Sequence, residues 1–198
     1  MTDDAVRIVS EKVLSDDWAR LTRYEVERQF QDGTWHREVR QVYDRGNAAA
    51  VLPVDRARGT ILLIRQFRLP VKLNPHDASE ADGILLEACA GLNEGNDPET
   101  AARKEAEEEL GYRLGALELI GEYHMSPGSV AERLALYVAD YTPADRISGG
   151  GGLAHEGEDI TVVEMPLAEA FAMMAAGRIT DAKTVIMLQH LKISGRGG

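Results

Sequence analysis

Two patterns of apolar positions divide the chain. Between residues 5 and 46 the dominant period is two. The stretches 23–30 (RYEVERQF) and 34–43 (TWHREVRQVY) are β-rich and largely alternating, and they are joined through Gln31-Asp32-Gly33, a good hairpin turn. Residues 6–14 are a candidate first strand. Three such strands bury only a thin face by themselves, so this part is expected to pack against a partner subunit or the main domain. After Gly46-Asn47 the runs become more apolar. Strands are predicted at 48–54 (AAAVLPV) and 60–67 (TILLIRQF) around a DRARG turn, then at 83–90 (GILLEACA), 116–125, 132–141 and 160–166. Helices are predicted from Asp97 to Gly111, from Ala168 to Ala176 and from Lys183 to Ile193, the last with apolar Val185, Ile186, Leu188 and Leu191. The order of strands, helix, strands and then helices predicts an α/β fold with a mixed sheet between helical layers. The expected division is 1–46 and 47–198.

Two segments carry no periodicity. Residues 70–82 (PVKLNPHDASEAD) are expected to be loop. Residues 148–159 (SGGGGLAHEGED) place four glycines before Glu156, Glu158 and Asp159. A glycine run serves most simply as a flexible connector. Here it could also let carboxylates swing over a metal site and close it.

The stretch 90–112 (AGLNEGNDPETAARKEAEEELGY) carries the chemistry. Asp97 suits a helix N-cap, Pro98 the first turn, and Gly111 the position just past the end. Glu105, Glu108 and Glu109 stand at i, i+3 and i+4 and so project from one face. Like charges at this spacing oppose the helix by roughly 0.2–0.5 kcal/mol per pair. Divalent cations would justify that cost, since hard cations take oxygen ligands where carboxylates and phosphates converge. Ala102, Ala106 and Leu110 form an adjoining apolar line that would seat the helix on a sheet. Taken alone, KEAEEEL is more simply an exposed acidic face.

Composition narrows the function classes. A net charge of −11 argues against a nucleic-acid or anionic-membrane binder, which needs a basic footprint. A nucleotide substrate is still compatible, because bound metal ions dominate the local charge of a site. Cys89 is the only cysteine, so no internal disulfide forms, and a buried structural thiol in a reducing cytoplasm is expected. No signal-peptide run and no membrane-spanning stretch is present.

The 90–112 stretch resembles the signature box of the Nudix hydrolases, G-x5-E-x7-R-E-U-x-E-E-x-G-U with U apolar. Glu105, Glu108, Glu109 and Gly111 match directly, Ala106 and Tyr112 fill apolar places, and Lys104 replaces the arginine. Only four residues separate Gly91 from Asn96, which stands where the first glutamate is expected. The segments 37–47, 63–68, 89–92, 103–112, 124–132, 156–160 and 182–188 together resemble the GDP-mannose pyrophosphatase subfamily, close to the ADP-ribose pyrophosphatases. The short box is shared with that subfamily. The resemblance implies a Nudix α/β/α sandwich preceded by a small antiparallel β-sheet involved in dimerisation. It implies a homodimer in which each N-terminal sheet contributes to the partner's site. The implied reaction is Mg2+-dependent hydrolysis, with Mn2+ as an alternative metal, of a nucleoside diphosphate sugar such as GDP-mannose.

Roles follow from the same resemblance. The Ala90 carbonyl, Glu105 and Glu109 would bind metal, with Glu108 as ligand or supporting group and Glu158 joining on closure. The general base is left open among Glu109, Glu156 and Glu158. Arg68 would hold a phosphate, since guanidinium pairs bidentately with phosphate oxygens, and Arg65 is divided between that role and structural pairing. Gly91 and Leu92 would line the phosphate approach, Glu132 would contact the sugar, and Lys183 would be another substrate contact. Trp18 would stack on the base, and Val39, Arg40 and Gln41 would reach the neighbouring subunit's site, with Arg40 foremost. Trp18, Gln41, Gly157 and Ala182 depart from the family pattern near substrate-facing positions. They bear on specificity and leave the metal ligands intact. The rival readings are an ADP-ribose or broad nucleoside diphosphate sugar pyrophosphatase and, more remotely, a non-catalytic nucleotide-sugar sensor.

Overall fold

The computed structural model describes residues 5–195, which fall into two units. One runs to Asn47 and includes His124–Arg133; the other comprises Ala48–Tyr123 and the chain from Leu134 onward.

In the first unit, the alternating segments form an antiparallel sheet of β1 (Val6–Asp16), β2 (Arg20–Gln29) and β3 (Trp35–Asp44), in that order. The expected turn closes the β2–β3 hairpin: Phe30 N donates to Thr34 O at 2.7 Å, and Gly33 takes φ +85°. The candidate first strand is real and reaches Asp16. Every residue of β1 is exposed within the single chain, including Val6, Ile8 and Val13. The segment after the second unit's β8 docks on β3, with Tyr43 N donating to Ser129 O at 2.8 Å and Ala131 N to Tyr43 O at 2.9 Å.

The second unit is built on a forked sheet. Strand β4 (Ala48–Asp55) runs parallel to β9 (Arg133–Asp140) along one edge. Its other edge is shared: Ala48–Val51 pair with β7 (Cys89–Leu92), whereas Val54 and Asp55 pair with β5 (Thr60–Phe67). Strand β5 divides in the same way, pairing at Ile64–Phe67 with β6 (Ile84–Glu87) and along its opposite edge with β10 (Thr161–Pro166). The stretch 83–90 is therefore two strands on two partners, where periodicity predicts one. The break falls at Ala88, whose N–H donates to the Thr184 hydroxyl at 2.7 Å. Pro53 falls in the gap between β7 and β5 on the shared edge of β4, while it stays in register with Ala139 of β9 on the other. β8 (Leu117–His124) completes the sheet beside β9.

All of β4 is buried, so its core reads as a continuous apolar run instead of an alternation. Ala49 and Val51 join Leu62, Ile64, Cys89, Ala101, Ala102, Ala106 and Leu110 in one cluster, which seats the signature helix on the sheet. α4 (Ala182–Ile193) contacts β4 and α3 (Leu167–Ala175), burying Met187, Leu188 and Leu191. At about 1.5–3 kcal/mol per buried large apolar side chain, these faces carry most of the unit's stability. Residues 70–82, expected from their composition to be loop, are partly helical. A short helix α1 (Leu69–Leu73) has Pro70 in its first turn, and a 3-10 turn at Ala78–Glu80 is capped by Asp77 accepting from Ser79 N at 2.7 Å.

Candidate active site

The signature helix α2 (Pro98–Glu105) starts as its sequence predicts, with Asp97 accepting from Thr100 N at 3.0 Å. Its end is different. The last turn, Ala106–Leu110, is a π turn before Gly111 adopts φ +78°. The glycine segment docks on this end: Gly151 N donates to Glu109 O at 2.8 Å and Gly152 N to Glu108 O at 3.1 Å. These donors satisfy carbonyls that a helix end otherwise leaves open. A Cβ on Gly150 would run into the Glu109 carbonyl, and Gly150, Gly151 and Gly152 all have positive φ. The glycine run is thus a docked cap on the acidic helix and not the free connector that composition suggests. A π turn carries one extra residue, and such turns occur often at functional sites.

The helix places Glu105 and Glu109 against β7. A Cβ on Gly91 would overlap the Glu105 carboxylate, so only glycine admits this approach. Glu109 is 1% exposed and its Oε2 accepts from Ala90 N at 3.2 Å. Burial, reinforced by the neighbouring Glu109 charge, pushes the Glu105 carboxyl up to about 8. Burial likewise raises Glu109 to about 7, with Glu158 adding repulsion and a bond from the Cys89 thiol opposing it. Cys89 itself is fully buried, which pushes its thiol well up and fits a structural role. Glu158 accepts from Leu153 N at 2.9 Å, which ties it beside the glycine cap. Glu108 stands 3.7 Å from Lys104, which also bonds Glu94 at 3.0 Å. Glu156 is exposed at the end of a 3-10 turn, 3.7 Å from His155.

Beside the acids lies a group of paired charges. Arg68 Nε donates to Glu87 Oε1 at 2.7 Å, and Lys183 Nζ bonds Glu87 Oε2 and lies 3.1 Å from Asp181. Asp181 also caps α4, accepting from Thr184 N at 3.0 Å. Glu87 and Lys183 are both buried. Sequence reasoning singled out Arg68 and Lys183 and missed Glu87. The signal was a single acid in the apolar run GILLEACA, where a buried charge requires a partner.

Trp18, Arg40 and Glu132 belong to the first unit. Trp18 is 77% exposed, with the Arg45 guanidinium 5.3 Å from its ring centroid. Arg45 Nε also lies 3.5 Å from Glu132 Oε1, so Arg45, which was not anticipated, links two expected substrate contacts. Arg40 is exposed on β3, bonding Val39 O at 2.9 Å and the Glu38 carboxylate. Leu92 is half-buried at the end of β7, in register with Ala48.

Comparison with known proteins gives this geometry a family. The NUDIX domain family model matches residues 44–187, and the GDP-mannose pyrophosphatase NudK N-terminal domain matches residues 5–43. The chain belongs to the Nudix hydrolase family. GDP-mannose pyrophosphatases of Pectobacterium atrosepticum and Cronobacter sakazakii are 46% and 44% identical to it over 190 residues. The first alignment covers 96% of this chain and 95% of the relative; the second covers 96% of each. Among solved structures, an ADP compounds hydrolase superposes with TM-score 0.69 over 97% of this chain and 96% of its own. At 18% identity that likeness shows the fold.

Nudix hydrolases generally use divalent metal ions, and the donors here suit one. Two carboxylates are desolvated and repel each other beside a backbone cradle that a single Cβ would fill. All are hard oxygen donors of the kind Mg2+, Mn2+ or Ca2+ prefer. Among the described residues, no three His, Cys, Asp or Glu side chains are already gathered to hold an ion.

Proposed function

We propose that this chain hydrolyses the pyrophosphate bond of GDP-mannose, giving GMP and mannose 1-phosphate. The observation that carries the reaction class is the meeting, in one unit, of the desolvated acids Glu105 and Glu109 with the buried Glu87–Lys183 pair and Arg68. The base and sugar are carried by the named activity of relatives 42–46% identical over nearly the whole chain.

Glu105, Glu109 and the Ala90 carbonyl would hold Mg2+, with Glu158 and Glu108 supporting it. When bound, the ion would spread the charge developing on the phosphoryl oxygens and lower the pKa of bound water. The chain's residues do the rest. Arg68 offers a planar set of donors suited to a phosphate. Lys183 adds a second cation. Gly91 lets the backbone and Glu105 approach closely. Of the candidate bases, Glu158 is favoured over Glu156, since its charge acts on both Glu105 and Glu109 while Glu156 lies exposed beside His155. The chain is proposed to act as a cytoplasmic homodimer that uses the exposed apolar positions of its N-terminal sheet, with Trp18 and Arg40 contributing to substrate binding and Glu132 to sugar contact.

The test is a competition between equal GDP-mannose and ADP-ribose with Mg2+, following nucleotide products by chromatography. GMP with mannose 1-phosphate forming first supports the proposal. AMP with ribose 5-phosphate forming first moves the specificity to the ADP-ribose side and leaves the catalytic residues in place.

A further inference from the structure

Glu87 lies outside the signature box and carries no expected role, yet it occupies the fork of the sheet. It ends β6 immediately before the break at Ala88, where β7 leaves for a different partner strand. Its side chain is 2% exposed and both oxygens are engaged, Oε1 by Arg68 at 2.7 Å and Oε2 by Lys183. The two cations come from distant parts of the chain, one following β5 and one in the first turn of α4, and they repel each other. Glu87 is the group that holds them together. Its own backbone is fixed beside Lys183, because Ala88 N bonds the Thr184 hydroxyl at 2.7 Å and Asp181 caps the same turn.

A charge cluster with an exposed member can reach a ligand. This one is open at Arg68, whose side chain is 34% exposed against 2% for Glu87. The Arg68–Glu87 bond uses Nε, one of the five N–H donors a guanidinium carries. Arg68 and Glu109 lie close enough for their charges to interact, which places the cation on the side of the acidic site. A buried ion pair adds little net stability compared with apolar packing, so stability alone is a weak reason for keeping the four charges of Glu87, Arg68, Lys183 and Asp181 here.

We propose that Glu87 is a positioning residue for diphosphate binding, holding Arg68 and Lys183 together so that both cations address the same pyrophosphate group. This rests on the phosphate-binding reading of Arg68 and Lys183 given above. The test uses the full-length protein with Glu87→Asp, which keeps the charge on a shorter arm, and Glu87→Gln, which removes it. Binding of inorganic pyrophosphate is measured by calorimetry in metal-free buffer, and KM and kcat for GDP-mannose are measured with Mg2+. The expected result is pyrophosphate affinity weakened about tenfold in Glu87→Asp and more in Glu87→Gln. KM should rise in parallel and more than kcat falls, while Glu87→Asp melts close to the wild type. Wild-type affinity and KM in Glu87→Asp, or no pyrophosphate binding by the wild type, would overturn the proposal. If Glu87→Gln fails to fold, Glu87→Asp decides alone. A wild-type protein that binds pyrophosphate but leaves GDP-mannose intact would refute the substrate assignment, and the affinity measurements would still judge Glu87.

Discussion

Replacing Glu109 with Gln should make the metal-free protein more stable at neutral and alkaline pH while abolishing most of its activity. Glu109 is almost fully buried, and burial raises its carboxyl from 4.5 to about 7. Between those values the folded chain holds a proton that the unfolded chain has released. Stability from this group is therefore full below pH ~4.5 and is lost as pH rises through ~7. The displacement corresponds to about 3 kcal/mol at pH 8. Gln carries no such penalty and keeps an oxygen that can accept from Ala90 N. For a chain of this length the gain amounts to roughly 6–12 °C in Tm at pH 8 and close to none at pH 4.5. The assay is differential scanning calorimetry with chelator at both pH values, beside turnover with Mg2+, which should fall about a thousandfold or more. A variant that melts below the wild type at pH 8, or equally displaced at both pH values, would refute the burial argument. Near-wild-type turnover would refute the metal-site assignment.

Three further outcomes follow from the same geometry. Gly150→Ala should destabilise the chain by about 2 kcal/mol in urea denaturation, because φ is +66° and the new Cβ meets the Glu109 carbonyl; an unchanged midpoint would dismiss the glycine cap. Arg68→Lys should raise KM about tenfold with a smaller effect on kcat, since the charge survives and the planar fork does not; an unaltered KM would remove Arg68 from phosphate binding. Glu158→Gln should lower kcat about a hundredfold and Glu156→Gln less than about threefold; the reverse order would move the general base to Glu156.

How much of this was legible in the sequence depended on the range of the interaction. The Asp97 cap, the Gly111 terminus and the hairpin at Gly33 are settled by residues within a few positions, and all three formed as expected. The hairpin sheet and the apolar core strands were also legible, because alternation in one part and continuous apolar runs in the other report burial on one face or two. The break at Ala88 was not. It arises because β4 and β5 diverge, and no local residue announces that. The cap on the π turn is made by Gly151 and Gly152, some forty residues downstream, donating to the carbonyls of Glu109 and Glu108. Composition alone made those glycines look like a linker. Arg45 and Glu87 were missed for a related reason: each matters through partners that only the fold supplies.

The features that break ordinary folding rules gather in one place. Acids that repel each other are buried or half-buried, a helix widens in its last turn, a glycine segment is held at positive φ, and a carboxylate at a sheet fork binds two cations. Natural chains are expected to be locally inconsistent at functional sites and consistent elsewhere. The two charge groups are also opposite in state. Glu87, Arg68, Lys183 and Asp181 are balanced among themselves, so the cluster is satisfied without a ligand. Glu105 and Glu109 are not, since burial holds both far above the usual carboxylate range, helped by the Glu109 charge at Glu105 and by the Glu158 charge at Glu109. A diphosphate would meet the N–H donors of Arg68 that Glu87 leaves free but also the charge of these acids, and a bound metal would neutralise that charge. Metal and diphosphate together satisfy both groups, which is why each should bind more tightly in the presence of the other.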